Sequence, residues 1–367
     1  MVGWRVLFCD MRLFERLEAR LHKLPERPFW PKPVSLDFTT NDYLALQADG
    51  IIRQILRSLP PELWQGGGAS RYLGGDHPAY HELEHLLQEK YGQPALLFSS
   101  GFIANLTIWE ALTERGDTIV YDREIHASLR HGLRLSWART WGFPHNDWEA
   151  AEKLLRQARG ETFLVVESLY SMRGDMPDPN ALRYLQSRYG CHLFIDEAHT
   201  TLLYPNQKTW SSYHGLEPLI TLLTFGKAVG LMGAAILAPP PVHAYLQRRC
   251  IGTIYSTAMP PLIAAAVKEV FAHDAQWAPR QHQLWKNVTL LKERLTAESI
   301  PFQGLHGPIA MVKTPAVGIP LKQLLPPTVP EPLYRICLHA NHTKEAIENL
   351  VQALKAGLAE RNSDHPQ

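Results

Sequence analysis

Between residues 94 and 238, short apolar runs and helical stretches alternate several times, and this alternation narrows the fold more than any other feature. The runs are Ala95–Phe98, Asp117–Tyr121, Ala138–Trp141, Thr162–Val166, His192–Asp196, Leu219–Phe225 and Gly233–Leu237. The strongest of them are apolar throughout, not at every second position. That is the pattern of a strand buried on both faces, and strands alternating with helices predict a mostly parallel sheet covered by helices on both sides. Ligands of such sheets sit at the carboxyl ends of the strands. Two runs end in groups that can do chemistry. His192–Asp196 leads into Glu197-Ala-His199, and Leu219–Phe225 leads into Gly226-Lys227. An acid and an amine at two such strand ends can face one crevice.

A Lys and an Asp so placed suit pyridoxal 5'-phosphate, which needs a Lys for its Schiff base and an acid on its pyridinium nitrogen. Each residue alone is ordinary, since a Lys after Gly is most often a solvated turn residue. A phosphate has a natural place too. Ser99-Ser100-Gly101-Phe102 turns the strand Ala95–Phe98 into a helix read as Ile103–Thr113, and a helix N-terminus offers free N–H groups and a positive dipole end. The G-x-x-x-x-G-K-[ST] loop is absent, which disfavours ATP. The glycine-rich stretch Gly66–Gly75 reads as a backbone-exposing loop.

Around this centre, residues 11–24 space Leu13, Leu17, Leu21 and Leu24 as an amphipathic helix, which Pro25, Pro28, Pro31 and Pro33 stop. Leu262–His273 and Gln281–Ser299 read as long helices. Weak strands follow, then the loop Pro326–Pro330, the strand Tyr334–Leu338 and a last helix Lys344–Leu358. The expected organisation is an N-terminal helix and linker (1–35), a large cofactor-binding domain (36–280), a small α+β C-terminal domain (281–360) and a disordered polar tail (361–367).

Composition excludes several classes. A net charge of +1 over 367 residues argues against a nucleic-acid-binding face. Cys9, Cys191, Cys250 and Cys337 lie far apart, with no C-x-x-C pair, so neither a metal site nor a disulfide framework is indicated. No stretch reads as a membrane span or a signal peptide, so the expected setting is cytoplasmic.

The segments together resemble the α-oxoamine synthases, pyridoxal-phosphate enzymes of the aspartate-aminotransferase fold type (fold type I). The matching pieces are collinear over residues 36–350. They are Asn41-Asp-Tyr-Leu44, Gly68-Ala-Ser-Arg71, His81-Glu-Leu-Glu84, Ser100-Gly-Phe-x-Ala-Asn105, His126-Ala-Ser128, Glu167-x-x-x-Ser171-Met-x-Gly-Asp175, Asp196-Glu-Ala-His199, Thr224-Phe-Gly-Lys227, Ile254-Tyr-Ser-Thr257-Ala-Met-Pro-Pro261 and Arg335-Ile-x-Leu-x-Ala-x-His342. His145-Asn-Asp147, Thr224-Phe-Gly-Lys227, Tyr255-Ser-Thr257-x-Met-Pro-Pro261 and Pro326-Pro-Thr-Val-Pro330 resemble further the family's biotin-pathway branch. That branch joins L-alanine to a pimeloyl thioester, on CoA or on an acyl-carrier protein, with loss of carbon dioxide.

The resemblance implies roles. Lys227 carries the Schiff base and moves the Cα proton, Asp196 pairs with the ring nitrogen, and His199 and Ser171 bond the ring oxygen. His126 stacks on the ring. Gly101, Phe102 and Thr224 hold the phosphate, with Ser256 and Thr257 reaching the neighbouring subunit's phosphate in a homodimer. Asn41 and Arg335 hold the amino-acid carboxylate. The chain departs from the pattern at Thr200-Thr-Leu202, where Gly-Thr-Gly is usual, at Arg173 for an Asp, at Leu325 for an Arg, and in a shortened segment 301–326. Two other readings stay open: an aminotransferase of the same fold, against which His126 argues, and a silent partner subunit, against which Lys227 argues.

Overall fold

The computed structural model describes residues 12–22, 37–206, 208–325, 329 and 331–364. The linker prolines 25–33, most of the loop 326–330 and residues 365–367 lie outside the described residues. The helix Arg12–Leu21 forms a unit of its own, and the chain from Leu36 onward forms one compact unit.

Seven strands make the main sheet: β1 (Ala95–Phe98), β2 (Thr118–Asp122), β3 (Arg139–Phe143), β4 (Thr162–Glu167), β5 (His192–Asp196), β6 (Ile220–Thr224) and β7 (Ala234–Leu237). Their order is β1-β7-β6-β5-β4-β2-β3. β3, β2, β4, β5 and β6 run parallel, and β7 is antiparallel to both β6 and β1. Helices connect the parallel strands because a parallel pair needs a crossover.

Alternate residues of these strands point to opposite faces, and both faces are apolar. Leu164, Val166, Leu193, Ile195, Leu223 and Ala235 pack into one core. Phe163, Val165, Phe194, Leu222, Ala234 and Ile236 pack into the other, with Trp109. This is why the strands read as continuous apolar runs. The helix predicted from Ile103 begins two residues earlier, at Gly101, because the Ser100 hydroxyl caps it by accepting from Ile103 N. The last helix, read as ending at Leu358, continues to Asp364.

A second sheet of four antiparallel strands, β8 (Phe302–Gly304), β9 (Ile309–Val312), β10 (Lys322–Leu324) and β11 (Leu333–Cys337), is ordered β10-β11-β9-β8. The segment Asp37–Leu46 runs beside it. Cys337 N donates to Phe38 O and Ala340 N to Tyr43 O, so this segment brings Asn41 next to Arg335. His339 and His342, stacked at 4.7 Å, contact Thr40 O and Asp37 O through their Nε2 atoms and fasten it further. Among the described residues no helix is long and apolar enough to cross a membrane.

Candidate active site

The carboxyl ends of β4, β5 and β6 open into one cavity of about 310 Å³. Glu167 and Asp196 are register partners at the ends of β4 and β5. Thr224 ends β6, and Gly226 and Lys227 follow it. Asn41, Gly101, Phe102, Asn105, His126 and His199 complete the lining that matters for chemistry.

Asp196 is buried, and both its oxygens are engaged: Oδ1 accepts from Ala198 N at 2.9 Å and Oδ2 from Asn105 Nδ2 at 2.8 Å. Asn105 Nδ2 also reaches Ser128 Oγ at 3.1 Å, and Ser128 Oγ lies 2.7 Å from His126 Nδ1. The carboxylate and the imidazole are thus positioned by one network. The Lys227 amine makes no hydrogen bond or ion pair with another described residue, although the residue's carbonyl accepts from Gly230 N. Burial pulls its pKa below the ordinary lysine value, while the charges of Asp196 and Glu167 push back. Glu167 accepts a short hydrogen bond from His126 N. Burial and the neighbouring charge of Asp196 raise its pKa well above the ordinary carboxylate value. Burial and the charge of Lys227 lower the pKa of His199 far below the usual value, so its imidazole is neutral.

At the other end, the helix Gly101–Leu112 points its N-terminus into the cavity. Ser100 satisfies Ile103 N and Ala104 N, leaving Gly101 N and Phe102 N without partners among the described residues. A Cβ on Gly101 would come within 2.6 Å of Thr224 Cγ2, so only glycine lets the backbone pass here. Free N–H donors at one end, a held carboxylate at the other and an amine beside it match a molecule with an anionic phosphate, a cationic ring nitrogen and an aldehyde. The donor set fits pyridoxal phosphate. The buried Asn105 Oδ1, which has no hydrogen-bond partner among the described residues, marks further polar capacity in the same region.

Not every predicted residue faces this cavity. Ser171 and Arg335 are buried and do not line it. The guanidinium donates to Ser171 O (2.9 Å), Cys337 Sγ (2.8 Å) and Asn41 Oδ1 (3.0 Å). Ser256 and Thr257 line a separate cavity of about 340 Å³ with Arg71, Tyr80 and Met259, and Ser99 borders both. The glycine-rich loop borders this second cavity. Ala258 N donates to Ala69 O, and a Cβ on Gly67 would lie 2.3 Å from Ala258 O.

Some residues that matter here received no role from sequence reasoning. Asn105, Glu167 and Tyr43 stood inside the matched segments, which was their only signal. His145 is another. Its Nδ1 lies 3.0 Å from Asp122 and its Nε2 2.9 Å from Asp175. It ties the end of β2 to the turn that carries Ser171. Gly174 of that turn has φ 71° and packs so close to β9 that a Cβ would meet Ile309 O at 2.2 Å.

Comparison with known proteins agrees with this geometry. The family model for aminotransferase class I and II matches residues 33–354. The 8-amino-7-oxononanoate synthase of Yersinia pseudotuberculosis is 34% identical over 337 residues, 87% of this chain and 88% of that one. Serine palmitoyltransferase from S. paucimobilis, solved with PLP and myriocin bound, superposes with a TM-score of 0.85 at 23% identity, covering 96% of this chain and 99% of that one. The 8-amino-7-oxononanoate synthase of Francisella tularensis superposes with a TM-score of 0.75 at 24% identity, covering 89% and 99%. The two superpositions show the fold, and the family match and the Yersinia relative show the kinship. The chain belongs to the aminotransferase class I and II family, and within it to the α-oxoamine synthases, whose cofactor is pyridoxal 5'-phosphate.

Proposed function

We propose that the chain condenses L-alanine with a pimeloyl thioester, on CoA or on a carrier protein, to give 8-amino-7-oxononanoate, carbon dioxide and free thiol in biotin biosynthesis. One juxtaposition supports this above all: Lys227, Asp196 and His199 converge on a cavity that ends at a free helix N-terminus. It occurs in a chain 34% identical to a protein named for that product. In the reaction the Cα–H bond of alanine breaks. A Cα–C bond forms to the acyl carbon as its C–S bond breaks and the thiol leaves. The Cα–carboxylate bond then breaks, releasing carbon dioxide, and a proton returns to Cα. Bound pyridoxal phosphate supplies an aldehyde for the amino group and an electron sink for the negative charge at Cα.

The residues divide the remaining work. Lys227 would hold the aldehyde carbon when no substrate is bound and move the Cα proton afterwards. Burial lowers its pKa, in the direction that favours the free amine such a proton transfer needs. Asp196, held by Asn105 and Ala198 N, would keep the ring nitrogen protonated. His126 would lie against the ring face, and His199, with Ser171, would serve the ring oxygen. Gly101, Phe102 and Thr224 would hold the phosphate. Asn41 and Arg335 would take the amino-acid carboxylate, for which an Arg fork is suited. Ser256 and Thr257, on their separate cavity, would complete the site of the second subunit of a homodimer. In this reading residues 281–360, with the second sheet, act as the small domain.

The test is product identification by mass spectrometry, with alanine, glycine and serine each offered beside a set of acyl thioesters. The expected outcome is 8-amino-7-oxononanoate and one carbon dioxide per turnover from alanine and the pimeloyl thioester. Amino-group transfer to a 2-oxo acid without carbon dioxide release would overturn the reading in favour of an aminotransferase.

A further inference from the structure

His199 and Asn41, on the cavity wall, form one chain of polar contacts with Tyr43 and Arg335. Tyr43 Oη lies 2.7 Å from His199 Nδ1 and 3.1 Å from Asn41 Oδ1, and Arg335 Nη2 lies 3.0 Å from the same Asn41 oxygen. Tyr43 is fully buried, and burial raises its phenol pKa, so it stays neutral with one proton to give. A guanidinium only donates, which fixes Oδ1 as the accepting atom of the Asn41 amide. Tyr43 therefore faces an obligate acceptor on one side and a ring nitrogen on the other. With its proton aimed at His199, the Tyr43 and Asn41 oxygens would confront each other with no hydrogen between them. With its proton on the Asn41 side, His199 Nδ1–H donates to the phenol oxygen, and both contacts are hydrogen bonds. The second arrangement turns both contacts of the phenol into hydrogen bonds, and an unmade buried hydrogen bond is costly. His199 is neutral, so a proton on Nδ1 leaves a lone pair on Nε2, the ring nitrogen that Tyr43 does not engage.

We propose that Tyr43 is a positioning residue that sets the tautomer of His199 and couples it to the Asn41–Arg335 pair. This rests on the reading that His199 serves the cofactor's ring oxygen and that Asn41 and Arg335 take the substrate carboxylate. One proton then links the two functions. A carboxylate that draws on Asn41 or Arg335 perturbs the Tyr43 bond, and with it what His199 presents to the cavity.

Tyr43→Phe keeps the buried ring and removes only the hydroxyl. The experiment compares wild-type and variant holoenzymes, reading the visible absorbance of bound pyridoxal phosphate against pH and its titration with L-alanine. Tyr43→Phe is expected to shift the pH midpoint of the band and to raise the dissociation constant for alanine about tenfold, the effect of losing one hydrogen bond. In a His199→Asn background the same change should no longer move the band. The coupling is overturned if only one of the two readouts moves, if neither moves, or if only the melting temperature falls. Failure of the underlying reading looks different: wild-type protein would then show no cofactor band, or no spectral response to alanine.

Discussion

Lys227 follows the end of β6 and fills no core, so its role and its contribution to folding are separable. Lys227→Ala is expected to melt within a few degrees of wild type, to bind pyridoxal phosphate only reversibly, and to lose several orders of magnitude in turnover. Retention of the cofactor through dialysis together with normal turnover would assign the role to another amine. Arg335 is the opposite case. It is buried, and its guanidinium satisfies Ser171 O and Asn41 Oδ1. Arg335→Ala removes the cation proposed to take the substrate carboxylate and leaves the buried Ser171 O without its donor, while Asn41 Oδ1 keeps Tyr43 Oη. A charge-assisted hydrogen bond is worth roughly 1.5–3 kcal/mol, so alanine affinity should fall at least about tenfold. The melting temperature should fall with it. Arg335→Lys, which keeps the charge but loses the planar fork, should recover stability more than affinity. Equal alanine affinity in all three proteins would place the carboxylate clamp elsewhere.

The elements that carry these residues are held by contacts of their own, and the clearest is His145 between Asp122 and Asp175. Both ring nitrogens face carboxylates, so both must donate, and the ring is an imidazolium. Burial pulls its pKa down, but the two carboxylates overcome this and hold it at about 9. A histidine raised from its unfolded value near 6.5 contributes stability that is fully present below that pH and lost as pH rises through 9. The contribution is on the order of 3 kcal/mol at pH 6. Wild-type urea midpoints should therefore drop between pH 6.5 and 9.5 more steeply than those of His145→Gln, and parallel slopes would show that the clasp is not charged. The turn after β5 shows the limit of motif reading. Where Gly-Thr-Gly is usual, Thr200 Oγ1 pairs with Ser168 Oγ at 2.6 Å, Thr201 Oγ1 donates to Glu197 O, and Leu202 takes a left-handed φ of 66°. Such a backbone costs a non-glycine residue about 1–2 kcal/mol. Leu202 is also buried in the core, and truncating a buried Leu costs about 2–5 kcal/mol. Leu202→Gly should thus destabilise on balance, and a rise in melting temperature would reverse that ranking. The parallel strands were legible because a sheet buried on both faces needs apolar side chains at every position. β8 and β10 were faint because they are short and partly exposed, so burial puts little constraint on their side chains. Lys227, Asp196 and His199 were legible because strand ends announce themselves. Asn105 and Tyr43 were not, because a buried polar residue inside an apolar helix or loop shows its purpose only through a partner distant in sequence.

At the scale of the molecule, the two cavities pose one question, since Ser256 and Thr257 lie off the cavity of Lys227 although both belong to the same matched pattern. The segments around them are rich in exposed apolar side chains, with Leu73 80% and Tyr255 81% exposed, and Trp64, Tyr72 and Ile251 also outward. Exposed apolar surface of this kind marks an interaction face. If a second copy covers that face, each active site takes Lys227 from one subunit and Ser256 and Thr257 from the other. Thr257→Glu then sets a carboxylate against the partner's bound phosphate and should abolish turnover, as Lys227→Ala does. Co-expressing the two inactive variants under separate affinity tags, and purifying through both, isolates the mixed dimer. One of its two sites combines an intact Lys227 with an intact Thr257, so turnover should return. If each site were built within one chain, every site of the mixed species would carry a lesion and the preparation would stay inactive. That result, or full activity of Thr257→Glu alone, would remove the shared site and leave the second cavity without a role in this reaction.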